Sequence, residues 1–165
     1  GVGGVAGAVW PFIDQLRPDA STLAVAQIDV DLSAVEAGMA ITAMWRGKPV
    51  FIRNRTEAEI EAARATPLEQ LPDRLARNDN LPADTPADDI GRSAGEGREN
   101  WLVMVGVCTH LGCVPLSQAG EYGAWFCPCH GSHYDTSGRI RKGPAPENLP
   151  VPEYQFLSDT RIRIG

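Results

Sequence analysis

With 165 residues and 43% hydrophobic side chains, the chain has material for one packed domain and a short appendage. Fifteen Lys and Arg against 21 Asp and Glu give a formal net charge of −6, which offers no basic field for a nucleic-acid partner.

In chain order, residues 1–13 (GVGGVAGAVWPFI) are uncharged, apolar and rich in small side chains. A bilayer span takes about 20 residues, so this segment reads as the end of a longer membrane helix. Trp10 would sit at the interface, and the glycines would allow close helix contact. A signal-peptide core is the weaker alternative, because no small-residue cleavage site follows. The chain begins at Gly1 without Met, so a processed or truncated form is expected. Residues 14–26 (DQLRPDASTLAVA) mix charge, Pro18 and small side chains, a linker composition without an obvious face.

From residue 27 onward the pattern is mostly β. Residues 27–32 alternate apolar and polar, as an edge or half-buried strand does. Residues 40–45 and 50–53 flank Arg46-Gly47-Lys48-Pro49, a hairpin signal. Thr56 followed by Glu59 is a capping box that starts a short helix to about residue 65, ended near Pro67, and residues 68–78 offer another helical turn. Residues 80–97 are polar, with Pro82, Pro86 and few apolar anchors, and predict a surface insertion. Residues 101–107 form an apolar run typical of a buried strand, and residues 122–126 suggest a second strand. Asp135-Thr136-Ser137-Gly138 is a turn. Residues 154–157 and 161–164 flank Ser158-Asp159-Thr160 as a closing hairpin. No internal repeat or phosphate-cradling Gly motif is present.

The chemistry is concentrated in two stretches, Cys108-Thr109-His110-Leu111-Gly112-Cys113 and Cys127-Pro128-Cys129-His130-Gly131-Ser132, which hold all four cysteines and two of the three histidines. Each follows a predicted strand, and each offers a Cys and a His within reach of one site, as Cys108-x-His110 and Cys127-x-x-His130. Each also carries a second cysteine, Cys113 or Cys129. Thiolates and imidazoles together suit zinc, copper or iron–sulfur chemistry and disfavour calcium and magnesium. Structural zinc is one candidate, but zinc sites usually pair like ligands in C-x(2–4)-C and H-x(3–5)-H spacings, whereas each loop here supplies one of each. A [2Fe–2S] centre in which two His replace two Cys on one iron is the other. His133 is the third histidine, and because His130 already satisfies the spacing it reads as structural.

As whole hexapeptides, CTHLGC followed by CPCHGSHYD resembles the Rieske iron–sulfur subunits of ubiquinol–cytochrome c reductases, and the resemblance runs from about residue 1 to the C-terminus. It implies a mainly β fold: a Rieske-type antiparallel β-sandwich with a small cluster-binding subdomain at about 106–147. Before this head, residues 27–165, would come the end of a transmembrane helix at 1–13 and a hinge at 14–26. One Rieske-type 2Fe–2S cluster is implied, with Cys108 and Cys127 on one iron and His110 and His130 on the other. Cys113 and Cys129 would form a disulfide between the loops. Closing a loop of about 15 residues contributes roughly 3 kcal/mol on the entropic model, and the bond needs an oxidising compartment such as the periplasm. The alternative is two buried thiols. Ser132 and Tyr134 match donors to a bridging sulfide and to a cysteine sulfur, here Cys108. Gly143-Pro144-Ala145-Pro146, stiffened further by Pro150 and Pro152, matches a third wall beside the cluster. Leu111, Gly112, Gly131, Gly143 and Pro144 would shape the docking surface. Mitochondrial members lack most of 80–97, so the resemblance points to a bacterial member.

The ligand set has an electrostatic consequence. Two ferric ions, two sulfides and four thiolates sum to about −2, and replacing two thiolates by neutral imidazoles brings the oxidised centre to about 0. Reduction is then easier. Each His also keeps a second ring nitrogen for proton exchange, and added negative charge favours the protonated imidazole. Electron and proton uptake are thereby coupled, as oxidation of a hydroquinone requires. The resemblance accordingly implies an inner-membrane, single-pass subunit with a periplasmic head, in a dimeric complex with a cytochrome b subunit and a c-type cytochrome. It would oxidise ubiquinol, with His130 as the quinol contact and proton acceptor, and the head would swing on residues 14–26. A soluble Rieske ferredoxin or oxygenase domain is the alternative, disfavoured by Cys113, Cys129 and the apolar N-terminus; a zinc interaction module is the third reading.

Overall fold

A computed structural model describes residues 27–165. The expected membrane-helix end at 1–13 and hinge at 14–26 lie outside the described residues. Among the described residues no helix is long and apolar enough to cross a membrane.

Among the described residues, three antiparallel sheets make up the architecture. The first has the order β1 (Ile28–Asp31), β10 (Arg161–Ile164), β9 (Tyr154–Ser158). The second is β2 (Ala40–Trp45), β3 (Lys48–Asn54), β4 (Trp101–Val105). The third is β5 (Leu116–Ala119), β6 (Ala124–Cys127), β7 (Ser132–Tyr134), β8 (Ile140–Lys142).

Alternation along β3 and β4 decides how these layers stack. Val50, Ile52, Trp101, Val103 and Val105 share a core with Ile162 and Ile164 of β10, while Phe51, Leu102 and Met104 share another with Trp125, Cys127, Tyr134 and Ile140. The middle sheet is therefore covered on both faces, which is why residues 101–105 read as a continuous apolar run instead of an alternating one. Each large aliphatic buried there contributes about 1.5–3 kcal/mol. The second core continues to Cys108, so the packing that holds the sheets also fixes the first ligand loop.

The β2–β3 hairpin is tighter than residues 46–49 suggested. Trp45 pairs with Lys48, leaving Arg46 and Gly47 as a two-residue turn at φ 50 and 74. Positive φ at both turn residues matches the twist of the strands, and glycine takes the second position without penalty. Pro49 lies inside β3, opposite Met44, and its carbonyl accepts the Gly106 amide at 2.8 Å.

Thr56 caps α1 (Glu57–Arg64), accepting the Glu59 amide at 3.4 Å. The Glu59 carboxylate closes the expected box by reaching back to Thr56, whose hydroxyl (3.3 Å) and backbone amide donate to it, and it also takes Arg53 Nε at 2.7 Å and Nη2 at 2.6 Å. Of the helical turn expected over 68–78, Leu68–Gln70 forms one 3-10 turn.

The surface insertion expected at 80–97 is corrected by the structure. Residues 80–84 are exposed, but Ala87, Asp89, Gly91, Arg92 and Ser93 are buried, the second to fourth of them within a short helix α2 (Asp89–Arg92). Reading polar residues as solvated misled here, because these charges are buried as partners. Arg92 is 0% exposed and donates to the carbonyls of Ser137 (2.9 Å), Ala76 (2.6 Å) and Gly138 (3.2 Å). Burial lowers its pKa to about 10, only partly offset by the Asp135 charge.

Candidate metal centre

The two ligand loops share one backbone design. After β4 the chain turns at Cys108, whose carbonyl accepts the Gly112 amide at 2.9 Å and whose amide donates to the Cys113 carbonyl at 2.7 Å. At the end of β6, the Cys127 carbonyl accepts the Gly131 amide at 3.0 Å, and the chain returns into β7 at Ser132. Both closing glycines lie in the left-handed region, at φ 84 and 81, where a side chain costs strain. Strand ends held by a packed core thus present a Cys at the base of each loop and a His further out.

Cys113 and Cys129 form a disulfide that ties one loop to the other, with Cα atoms 6.6 Å apart. Cys108 and Cys127 are free and buried. The sulfurs of Cys113, Cys127 and Cys129 lie within 4.8 Å of one another. Bonded sulfurs are no longer thiolate donors, so this triad is not a ligand set, and Cys108 and Cys127 remain the available thiols. His110 and His130, one from each loop, meet edge to face with ring centroids 4.7 Å apart. His110 Nδ1 is buried with no hydrogen-bond partner. A buried imidazole nitrogen left unpaired is costly unless something binds it, and a metal ion meets that need.

The electrostatics of the sulfurs agree. Burial pushes the Cys108 thiol up, but donors from the Tyr134 hydroxyl, the His110 amide, Cys127 and Ser132 outweigh it and hold the thiol below its ordinary value. Burial pushes the Cys127 thiol up, and the neighbouring Cys108 adds to the rise. Two thiols in contact share one region of low solvation, and a polyvalent metal centre is what ionises both. Donor types, split between loops and unpaired nitrogen all fit a [2Fe–2S] group.

Around them the donors fall into place. Tyr134 is 0% exposed, and its hydroxyl donates to Cys108 Sγ at 3.3 Å; burial and then the Cys108 sulfur push the phenol up. Ser132, also buried, accepts the Ala145 amide at 3.2 Å, which binds the second ligand loop to the Gly143–Pro146 stretch and leaves the hydroxyl proton for sulfur. Pro144 and Gly143 are exposed at the wall, Gly112 and His130 are exposed, Gly131 is half-buried, and Leu111 at the tip is 69% exposed. His133 serves the scaffold: its Nδ1 accepts the Glu121 amide at 3.1 Å.

Sequence reasoning missed two fastenings. Thr109, between the first Cys and His, donates to the Glu147 carbonyl at 2.7 Å and accepts the Glu147 amide at 3.3 Å. Asn148 reaches the Ile140 amide and the carbonyls of Asp73 and Leu75. Neither has a spacing signature, because each acts on backbone brought together from afar.

A family profile for the "Rieske [2Fe-2S] domain" matches residues 90–155, the interval that contains both loops. A second, the "Ubiquitinol-cytochrome C reductase Fe-S subunit TAT signal", matches residues 1–19. The ubiquinol-cytochrome c reductase iron-sulfur subunit of Cereibacter sphaeroides is 56% identical over 168 aligned residues, covering 100% of this chain and 89% of that protein.

The chain belongs to the Rieske iron–sulfur subunit family of ubiquinol–cytochrome c reductases.

Other family members agree. The subunit of Bradyrhizobium diazoefficiens is 54% identical, over 99% of this chain and 86% of that protein, and the one from Rickettsia prowazekii is also 54% identical, over 98% and 84%. A solved chain titled "Hyperthermophilic respiratory Complex III" superposes with a TM-score of 0.55 at 26% identity, covering 98% of this chain and 91% of that one. The Rieske fold, mainly β, and the disulfide are thus established for this family member.

Removing the donors at sulfur has a defined consequence. Ser132→Ala and Tyr134→Phe each delete one hydrogen bond that strengthens as the centre gains negative charge. A differential bond of about 1–2 kcal/mol corresponds to a fall of about 40–85 mV in midpoint potential. Redox titration of each variant, with cluster content held equal, checks this; an unchanged midpoint in both removes the assignment.

Proposed function

We propose that the chain is the electron-transfer subunit of a quinol–cytochrome c reductase, with Cys108, His110, Cys127 and His130 as ligands of its [2Fe–2S] centre. When bound, that centre supplies a one-electron acceptor of raised reduction potential. The observation that carries the reading is the pairing of two buried free thiols with two perpendicular imidazoles, on loops cross-linked by a disulfide.

His130, exposed at the end of the second loop, presents a ring nitrogen to the hydroxyl of ubiquinol and holds the proton it gives up. Leu111 and Gly112, exposed beside it, and the Gly143–Pro144 wall form an apolar rim that excludes water from the contact. Tyr134 and Ser132 keep the thiolate end dry and hydrogen-bonded. Residues 1–13 and 14–26 act as anchor and hinge: the head stands on the periplasmic side of the inner membrane and moves between a cytochrome b subunit, where ubiquinol binds, and a c-type cytochrome. The names of the relatives and the match to a TAT signal support this placement.

The test is electron paramagnetic resonance of ascorbate-reduced membranes, with and without an inhibitor of the quinol site. A rhombic signal whose line shape shifts with the inhibitor is expected. The same signal without a shift, in the soluble fraction, would mean a free ferredoxin-like carrier; zinc in place of iron would mean an interaction module.

A further inference from the structure

The disulfide that ties the loops lies against a ligand sulfur. Cys127 Sγ, Cys113 Sγ and Cys129 Sγ are mutually within 4.8 Å, and Cys127 is a free thiol. Cys108, the other free thiol, is not part of that group. We infer that Cys127 is an internal nucleophile toward the Cys113–Cys129 bond, and that the bound metal centre is what protects the disulfide from it.

The step needs no outside oxidant. The Cys127 thiolate attacks Cys113 Sγ, a Cys113–Cys127 bond forms, the Cys113–Cys129 bond breaks, and Cys129 leaves as the thiolate. Electrons and sulfurs balance, and the proton lost from Cys127 ends on Cys129 or in solvent. One feature favours this direction and a second does not oppose it. Cys129 is exposed whereas Cys127 is buried, so the leaving thiolate is solvated and the attacking one is not. The native bridge spans 16 residues and the exchanged one 14 (127 − 113), so loop closure hardly distinguishes them. Attack on Cys129 instead would make a bridge across the single residue Pro128, a strained small ring.

The consequence is an order of assembly. Once the exchange has occurred, Cys127 can no longer bind metal and the chain is trapped as an unloadable form. Loading before the disulfide closes, or promptly afterwards, avoids the trap. This inference rests on Cys127 being a metal ligand, but its readout is the sulfur connectivity of the unloaded chain and not electron transfer.

The experiment takes the purified full chain with its cluster, removes the iron from half of it with a chelator under anaerobic conditions at pH 8, and quenches samples with N-ethylmaleimide over several hours. Peptide mass spectrometry then locates the bridge and the label. In the loaded chain the Cys113–Cys129 bridge is expected to persist unchanged. In the stripped chain, label is expected to move from Cys127 to Cys129, with first-order kinetics independent of protein concentration, while cluster reconstitution (read by visible absorbance) falls in parallel and returns after dithiothreitol. Among variants purified unloaded with the Cys113–Cys129 bridge formed, and followed from that point beside the stripped parent, Cys127→Ser should show no label shift and Cys108→Ser should show it. Label that stays on Cys108 and Cys127 overturns the inference. So does Cys129 labelling that survives in Cys127→Ser, since another nucleophile would then be responsible.

Discussion

Gly143→Ala is expected to yield a chain that folds but carries almost no cluster. A Cβ at this position would lie 2.6 Å from Ser132 Cα, 2.7 Å from the Gly131 carbonyl oxygen and 2.9 Å from the Ser132 nitrogen. All three are backbone atoms of the second ligand loop, so no side chain can rotate away. The glycine also sits at φ 100, where an L-residue is strained. Relief requires the Gly143–Pro146 wall to move off the loop, which breaks the Ala145-to-Ser132 hydrogen bond. The combined clash and strain cost about 3 kcal/mol or more, concentrated at the metal site. Gly131 provides the contrast: it too has positive φ, at 81, but a Cβ there meets nothing within 4 Å. Gly131→Ala therefore incurs only the left-handed penalty of about 1–2 kcal/mol and should retain most of its cluster. Iron content and visible absorbance per folded chain, with far-ultraviolet circular dichroism as the folding control, check the pair. Normal cluster content in Gly143→Ala would show that the wall is not held against the loop.

The asymmetry between what the residues foretold and what they concealed has a physical origin. The ligand loops were readable because thiolates and imidazoles at short spacing are rare and chemically specific, and β4 because an apolar run of five residues leaves little choice. β5, β7 and β8 escaped notice. They are three or four residues long, and β5 and the β7–β8 pair carry register shifts, so no period of two can develop. The buried part of 80–97 was hidden for a different reason. Asp89 and Arg92 are charges whose partners lie 16 to 48 residues away, at Ala76, Arg55 and Ser137, and no local window contains that information. Thr109 was invisible for the same cause, since its partner is the backbone of Glu147.

That concealed network is where the largest loss of stability is expected. Asp89→Ala should lower the unfolding temperature by roughly 10–20 °C while leaving the midpoint potential of the surviving folded chains unchanged. The Asp89 carboxylate, 1% exposed, takes Arg55 Nη1 at 2.6 Å and Nη2 at 3.1 Å and the Ser137 hydroxyl at 2.6 Å. Arg55 is 0% exposed at its side chain and also donates to the carbonyls of Thr136 and Glu99. Removing the carboxylate strands a guanidinium that is fully buried from solvent, a loss of about 3–5 kcal/mol. Replacing both charges, as in Arg55→Met with Asp89→Leu, removes the stranded charge and should recover a large part of that loss. The potential should not follow, because Asp89 binds the turn after β7 and not the Tyr134 hydroxyl, which keeps its bond to Cys108. Thermal unfolding by near-ultraviolet circular dichroism and cluster bleaching, beside redox titration at low temperature, separates these outcomes. An unfolding temperature within about 2 °C of the parent would mean that water reaches Arg55 and solvates it. A shifted midpoint with intact folding would mean instead that the turn at Asp135–Gly138 transmits strain to Tyr134. The two results divide the network cleanly between holding the sheet together and tuning the sulfur.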